Sequence, residues 1–266
     1  MTAAATTARH RPRLIGQTLA LGRRSVIGTI RQPPQWIPSF LFPLLLCAIN
    51  TAALNRVIKE QGIGNYLNFA LGTVVVQAVL FSASNSGSDL ATDIQSGFFD
   101  RLVTSPIARP AILLGRLASS FVLGIAQSLI MVGALSVFGA RVASGMGGIA
   151  LLALAGGLLS VGIGSLSCAV AVRTGSAEAV QGFTPLFTMF IFFSSAYFPK
   201  TDMVGWFKVL VNANPLNWAI EGVRSIVVDG VTTSAVLKAL LVPVAVAVAG
   251  IALSTAALAH RLKDHS

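Results

Sequence analysis

The sequence predicts an all-α polytopic membrane protein with six transmembrane helices, an N-terminal interfacial helix, a short cytoplasmic amphipathic helix and an outer re-entrant helical hairpin. Three observations predict it. Only 11% of the 266 residues are charged, against roughly 25% in soluble domains. Mean hydropathy is +0.78, so there is too little polar surface to wrap one soluble core. Apolar runs near 37–55, 67–87, 111–139, 148–171, 179–198 and 235–259 approach the ~20 residues that a helix needs to cross a bilayer.

Residues 1–35 form a cytoplasmic tail and an interfacial helix. Residues 1–12 are rich in Ala, Thr and Arg and carry no apolar period. From Arg13 to Ile30 the pattern turns helical: Ile15, Leu19, Val26 and Ile30 share one face, while Arg13, Arg24 and Arg31 gather on another. Such a helix lies in the headgroup layer with its arginines toward anionic lipid. Pro33 and Pro34 then end it. The first apolar run begins near Trp36, too late and too long for a cleaved signal peptide.

Residues 36–260 form the transmembrane domain and 261–266 a second cytoplasmic tail. Orientation comes from Lys and Arg. Six spans put both termini on one side, with Arg9, Arg11, Arg13, Arg23, Arg24, Arg31, Arg101, Arg109, Arg116, Arg173, Arg261 and Lys263. The other side carries Arg56, Lys59, Arg141, Lys200, Lys208, Arg224 and Lys238. Twelve against seven makes the first side, with both termini, cytoplasmic under the positive-inside rule. The same rule accounts for the net charge of +10 better than nucleic acid does, because the cations are not clustered among exposed aromatics.

The span interiors are expected to hold no charged side chain, with Arg116 and Lys238 snorkelling from span ends. His10, His260 and His265 are terminal, so Ser160 has no intramembrane base, and a proton-coupled antiporter lacks its carboxylate at depth. Cys47 and Cys168 lie in apolar runs and read as small hydrophobes rather than metal or disulfide residues. Gly156, Ser160 and Gly164, with Gly124 and Ser128, recur at four-residue spacing and predict close helix packing within the bundle. Asn50, Gln77, Asn85 and Gln127 are polar groups that either tie helices together or line a path.

Between the second and third spans, Ser88 is placed to cap a helix running through Asp89 and Asp93 to about Leu102. Leu90, Ile94 and Phe98 give it an apolar ridge; Asp89, Asp93 and Asp100 lie on an adjoining face with Arg101 beside them. Pro106 and Pro110 break it. Two roles are open: a cover for the bundle's end, or a docking helix that places Phe98 or Phe99 in a partner's groove while the acids orient it. Under the second role, reversing Asp93 and Asp100 to lysine leaves insertion intact and uncouples the partner.

The run SDLATDIQSGFFDRLVTSPIARPAILLGR resembles the cytoplasmic segment of ABC type 2 transporter permeases, especially the daunorubicin-resistance type. The stretch SSAYFPKTDMVGWFKVLVNANPLNWAIEGVR resembles the family's second hallmark, before the last span. The resemblance spans about Trp36 to His260. It implies the membrane half of a plasma-membrane exporter, working as a homodimer or related heterodimer. The helix at about 88–103 would be the coupling helix against a separate ATPase subunit, through Asp89, Asp93, Gly97, Phe98, Asp100, Arg101, Leu102, Pro106 and Arg109. The chain has no G-x-x-x-x-G-K-[ST] loop, so ATP and Mg are expected on that partner, with no catalytic residue, cofactor or metal here. The cargo implied is an amphipathic drug or antibiotic. Polysaccharide or glycolipid export is the nearest alternative, followed by a secondary drug transporter or a non-transporting membrane partner.

Residues 200–230 are too long and too apolar for an ordinary connection. Trp206, Phe207 and Leu210 suit one short helix; Leu216, Ile220, Val223 and Val227 suit another, with Asn214 and Pro215 between them. Each is too short to span, so the pair reads as a hairpin dipping into the outer leaflet, which the resemblance also implies. It serves as an outer gate or as a plug, with Trp206 and Trp218 also suited to anchoring at the interface.

Overall fold

The computed structural model describes residues 14–60, 65–105 and 107–264. Among these the chain is α-helical, with a single 3-10 turn at Lys200–Asp202 and no strand. The helices are α1 (Leu14–Ile30), α2 (Pro33–Glu60), α3 (Tyr66–Ala83), α4 (Asn85–Gln95), α5 (Phe98–Thr104), α6 (Arg109–Val137), α7 (Gly145–Thr174), α8 (Ala177–Phe192), α9 (Gly205–Ala213), α10 (Pro215–Val228) and α11 (Thr233–Asp264). Among the described residues, five segments are long and apolar enough to cross a membrane: Pro33–Arg56, Tyr66–Gln95, Pro110–Val137, Gly145–Thr174 and Thr233–Arg261. The fifth run expected from the sequence, 179–198, becomes α8, which has 16 residues.

The end of α8 has an identifiable cause. Asn214, almost fully buried, donates from Nδ2 to the carbonyls of Phe190 (2.6 Å) and Phe193 (2.7 Å). Those are the last-turn carbonyls that a helix leaves unpaired. Its Oδ1 accepts from the Leu216 amide (3.0 Å), which caps α10. One amide therefore closes one helix and opens another, and the chain turns through Ser194–Tyr197 at that point.

Helix α7 lies at the centre, packed against α3, α4, α6 and α11. Gly124 of α6 shows why the contact is close: an added Cβ would stand 2.6 Å from the Ser160 Cβ and 2.9 Å from the Gly156 carbonyl. The small-residue spacing therefore serves packing within the bundle. Gly124→Val is expected to destabilise the protein by about 1–3 kcal/mol through overpacking, read as a lower unfolding midpoint of the purified protein. An unchanged midpoint would show that α6 and α7 can separate freely.

Of the other small polar groups, Gln127 joins three helices, donating to the Ala78 carbonyl (2.9 Å) and the Ser39 hydroxyl (3.1 Å). Gln77 donates to the Tyr197 hydroxyl (3.2 Å) and Asn85 to the Gln35 carbonyl (3.1 Å). These three are ties between elements, whereas Asn50 bonds within its own helix to Leu46.

Candidate functional site

At the end of the bundle where α1 lies, the helix expected from Asp89 to Leu102 is two helices. Ser96 and Gly97 end α4, and Gly97 adopts a left-handed backbone (φ 68°) that favours glycine. The apolar ridge does not run through. Leu90 and Ile94 are buried, but past the break it is Phe99 that enters the core, at 2% exposure, beside Ile112, Cys168 and Leu258. Phe98 is half-buried instead, with the Arg24 guanidinium 4.0 Å above its ring. Ser88 is not a cap. Its amide donates to the Ser84 carbonyl inside α4, and its hydroxyl accepts from Gln181 of α8 (2.9 Å). The true start of the helix is Asn85, two residues past the end of α3.

The acids are the larger correction. Asp89 and Asp93 turn inward to Arg116 of α6, which is only 8% exposed. Arg116 donates from Nη2 to Asp93 Oδ2, and its Nη1 lies 3.5 Å from Asp89 Oδ2. Arg24 of α1 reaches Asp93 Oδ1 at 3.5 Å. Two acids and two arginines thus neutralise one another across α1, α4 and α6. Arg116 does not snorkel; of the two arginines only Arg24 is half-exposed. The physical reason is pairing: a charge this buried survives only with its partners.

Of the residues singled out for docking, Asp100 and Arg101 on α5 are exposed. Leu102 is half-buried against the core around Phe99. Arg109 opens α6, while Pro106 and Arg13 lie outside the described residues. Arg31 is exposed. On α1 the stripe of Ile15, Leu19 and Ile30 is also exposed, while Gly22 packs against Gly115 of α6. Helix α1 is thus held to the bundle along one edge, with Arg24 on the cluster and its apolar stripe facing away.

At the opposite end, α9 and α10 form the expected pair, with Pro215 as the first residue of α10. Trp206 is 68% exposed and packs edge-on against Phe207 (5.6 Å). Trp218 is half-exposed and donates its indole N–H to the Asn212 carbonyl (3.1 Å). The centre of this end is Arg224, to which the sequence alone gave no partner. Its Nε donates to the Phe69 carbonyl (3.1 Å) and its Nη2 to the Ser195 carbonyl (2.6 Å), with the guanidinium 3.7 Å over the Phe69 ring. It joins α10 to α3 and to the turn after α8. The signal was available: Arg224 shares a helix face with Ile220, Val223 and Val227, which are buried. Beside it, Glu221 pairs with Lys200 and accepts from Asn217 (2.8 Å).

Among the described residues no group of His, Cys, Asp and Glu is arranged to hold a metal ion.

Residues 16–228 match the family model described as ABC-2 type transporter. The chain is 28% identical over 217 residues to the daunorubicin resistance ABC transporter permease protein DrrB1 of Streptomyces coeruleorubidus, covering 80% of this chain and 75% of that protein. It is 30% identical over 217 residues to the putative transport permease ycf38 of Porphyra purpurea, covering 80% and 74%. It is 22% identical over 227 residues to the probable doxorubicin resistance ABC transporter permease protein DrrC of Mycobacterium tuberculosis (strain ATCC 25618 / H37Rv), covering 85% and 82%.

Proposed function

This chain belongs to the ABC-2 type transporter family, and on that premise we propose that it moves an amphipathic drug or antibiotic out of the cell, using ATP hydrolysed by a separate subunit. It is a multi-pass membrane permease of that family; the proposal concerns its energy source, cargo and direction. Two relatives are named for daunorubicin or doxorubicin resistance, which supports an amphipathic cargo. The plasma membrane, both termini on the cytoplasmic side and a second permease copy belong to the same proposal. So does a sixth crossing, in which α8 and the turn after it carry the chain to the hairpin side. The hairpin of α9 and α10 then covers the outer end of the path, with Trp206, Asn214, Pro215 and Trp218 as its gate.

The observation that carries the coupling role is the two-sided character of α4 and α5. One side is pinned: Phe99 in the core, Phe98 beneath Arg24, and Asp89 and Asp93 on Arg116. The other side leaves Asp100, Arg101 and Thr104 exposed. A push on that exposed face passes directly to α1 and α6, because the pinned side is bonded to both. Energy arrives mechanically, which fits a chain without a phosphate-binding loop.

The test places a single cysteine at Thr104 after Cys47 and Cys168 are replaced by alanine, and co-expresses candidate ATPase subunits. An adduct whose yield changes with ATP is expected. Adducts confined to this chain, with no ATPase co-purifying, would overturn the coupling role. Asp100→Lys is expected to weaken ATPase association by about tenfold, as reversal of an interface charge does, with unfolding unchanged. Equal co-purification at rising salt would remove Asp100 from the contact.

A further inference from the structure

A cavity of about 220 Å³ lies between the C-terminal end of α1, the start of α2, the α3–α4 junction, α6 and α7. It is distinct from the coupling surface on α5. Its walls are mainly apolar: Trp36 and Phe40 stand edge to face, with centroids 5.7 Å apart, across from Leu123, Ala126 and Ile130. It exceeds the ~150 Å³ that holds a benzene ring in an engineered apolar cavity.

One polar group in its lining is unaccounted for. Ser160, 2% exposed, lines the cavity, and no hydrogen bond engages its hydroxyl among the described residues. Ser128, on the facing helix, donates back to the carbonyl four residues earlier (Gly124, 2.8 Å). Ser160 does not do the same toward Gly156. An acceptor entering the cavity would give this hydroxyl a hydrogen bond, a net gain of ~0.5–1.5 kcal/mol. The other hydroxyls here are occupied: Ser86 and Ser120 bond to each other (2.6 Å), and Ser82 donates to Val79 (3.2 Å).

Beyond the same wall of α1 lies a second cleft of about 200 Å³, lined by Arg24, Gln32, Gln35, Asp89, Asp93 and Arg116. The apolar chamber runs along Thr29 and Ile30 of α1 and the polar one along Arg24, Ser25 and Gly28. The Asn85–Gln35 hydrogen bond marks the boundary between them.

We propose that the apolar cavity binds the aromatic end of an amphiphile that carries a carbonyl or ether oxygen, with Ser160 as donor and Trp36 and Phe40 as the packing wall. The polar remainder of the molecule lies toward the charged cleft. A lipid acyl chain is the poorer occupant, because it offers Ser160 no acceptor. The inference deepens the exporter reading by giving the cargo's chemistry and entry site, but binding can be measured without ATP.

The probe is benzophenone, which has two rings and one carbonyl, photoactivated on protein reconstituted in phosphatidylcholine nanodiscs and mapped by mass spectrometry. Saturable labelling of the 36–40 and 123–130 peptides is expected, competed by unreactive fluorenone. Ser160→Ala should reduce that labelling by about tenfold, the effect of one hydrogen bond of ~1.4 kcal/mol, and Ala126→Phe should abolish it by filling the space. Labelling of lipid-facing Leu41 and Leu45, exposed at 62% and 54%, should stay unchanged in both. Non-saturable labelling spread equally over Leu41, Leu45 and the cavity would overturn the site. So would saturable cavity labelling that Ser160→Ala leaves intact, since the hydroxyl would then recognise nothing. Either failure leaves the Thr104 crosslink, and with it the exporter reading, untouched; loss of that crosslink likewise leaves this binding measurement standing.

Discussion

Arg116→Met is expected to lower stability by about 3–5 kcal/mol, the range for breaking a buried ion pair by removing one partner. Methionine keeps much of the side-chain volume, so the loss is electrostatic rather than a cavity. Asp89 and Asp93 would be left facing one another, with only half-exposed Arg24 to offset them. The readout is a much lower unfolding midpoint and poor recovery from the membrane. Adding Asp89→Asn and Asp93→Asn to Arg116→Met should restore much of the loss, because neutral amides leave no uncompensated charge. If the single variant unfolds with the parent protein, the cluster is not structural and the acids are free for other work.

The same geometry changes what the double reversal of Asp93 and Asp100 would report. Asp93→Lys would place a third cation against Arg24 and Arg116, so insertion and folding would suffer before coupling could be read. Asp100 is exposed on a different helix, and its reversal reports on docking alone. The pair looks equivalent on one continuous helix and ceases to be so once Gly97 divides it.

Arg224→Met is expected to cost about 2–4 kcal/mol, since hydrogen bonds to a charged group contribute ~1.5–3 kcal/mol and their removal strands buried carbonyls. The carbonyls of Phe69 and Ser195 lose their donor, and the Phe69 ring loses its stacked cation. Arg224→Lys should recover little, because a single ammonium cannot reproduce the planar fork that reaches both carbonyls. Amide hydrogen exchange across residues 194–198 should rise in both variants, since Arg224 and Asn217 hold that turn from α10. Unchanged exchange there would show that Asn214 and Asn217 suffice and that Arg224 is not the tie between hairpin and bundle.

Much of the architecture was legible from composition and period. Apolar runs of this length mark the long helices because a helix satisfies every backbone polar group within its own segment across the lipid core. The two short helices α9 and α10 were legible because Asn214 and Pro215 interrupt two short apolar periods, one ending at Ala213 and the other running from Leu216 to Val227. Four-residue spacing of small side chains marked the α6–α7 contact, because it reports how closely two backbones can approach. The family hallmarks around Asp93 and Asn214 were equally local, each contained in one stretch of chain.

The tertiary structure decided what those charged and amide side chains face. Arg116 stands 23 residues from Asp93, and Arg224 stands 155 from Phe69; no local period encodes such pairings. Helix α8 stops where it does because Asn214, 21 residues beyond Phe193, caps its carbonyls. Apolar burial is additive along a helix and can be read residue by residue. A buried charge or amide is tolerated only where a specific partner completes it, and in this protein those partners come from other helices.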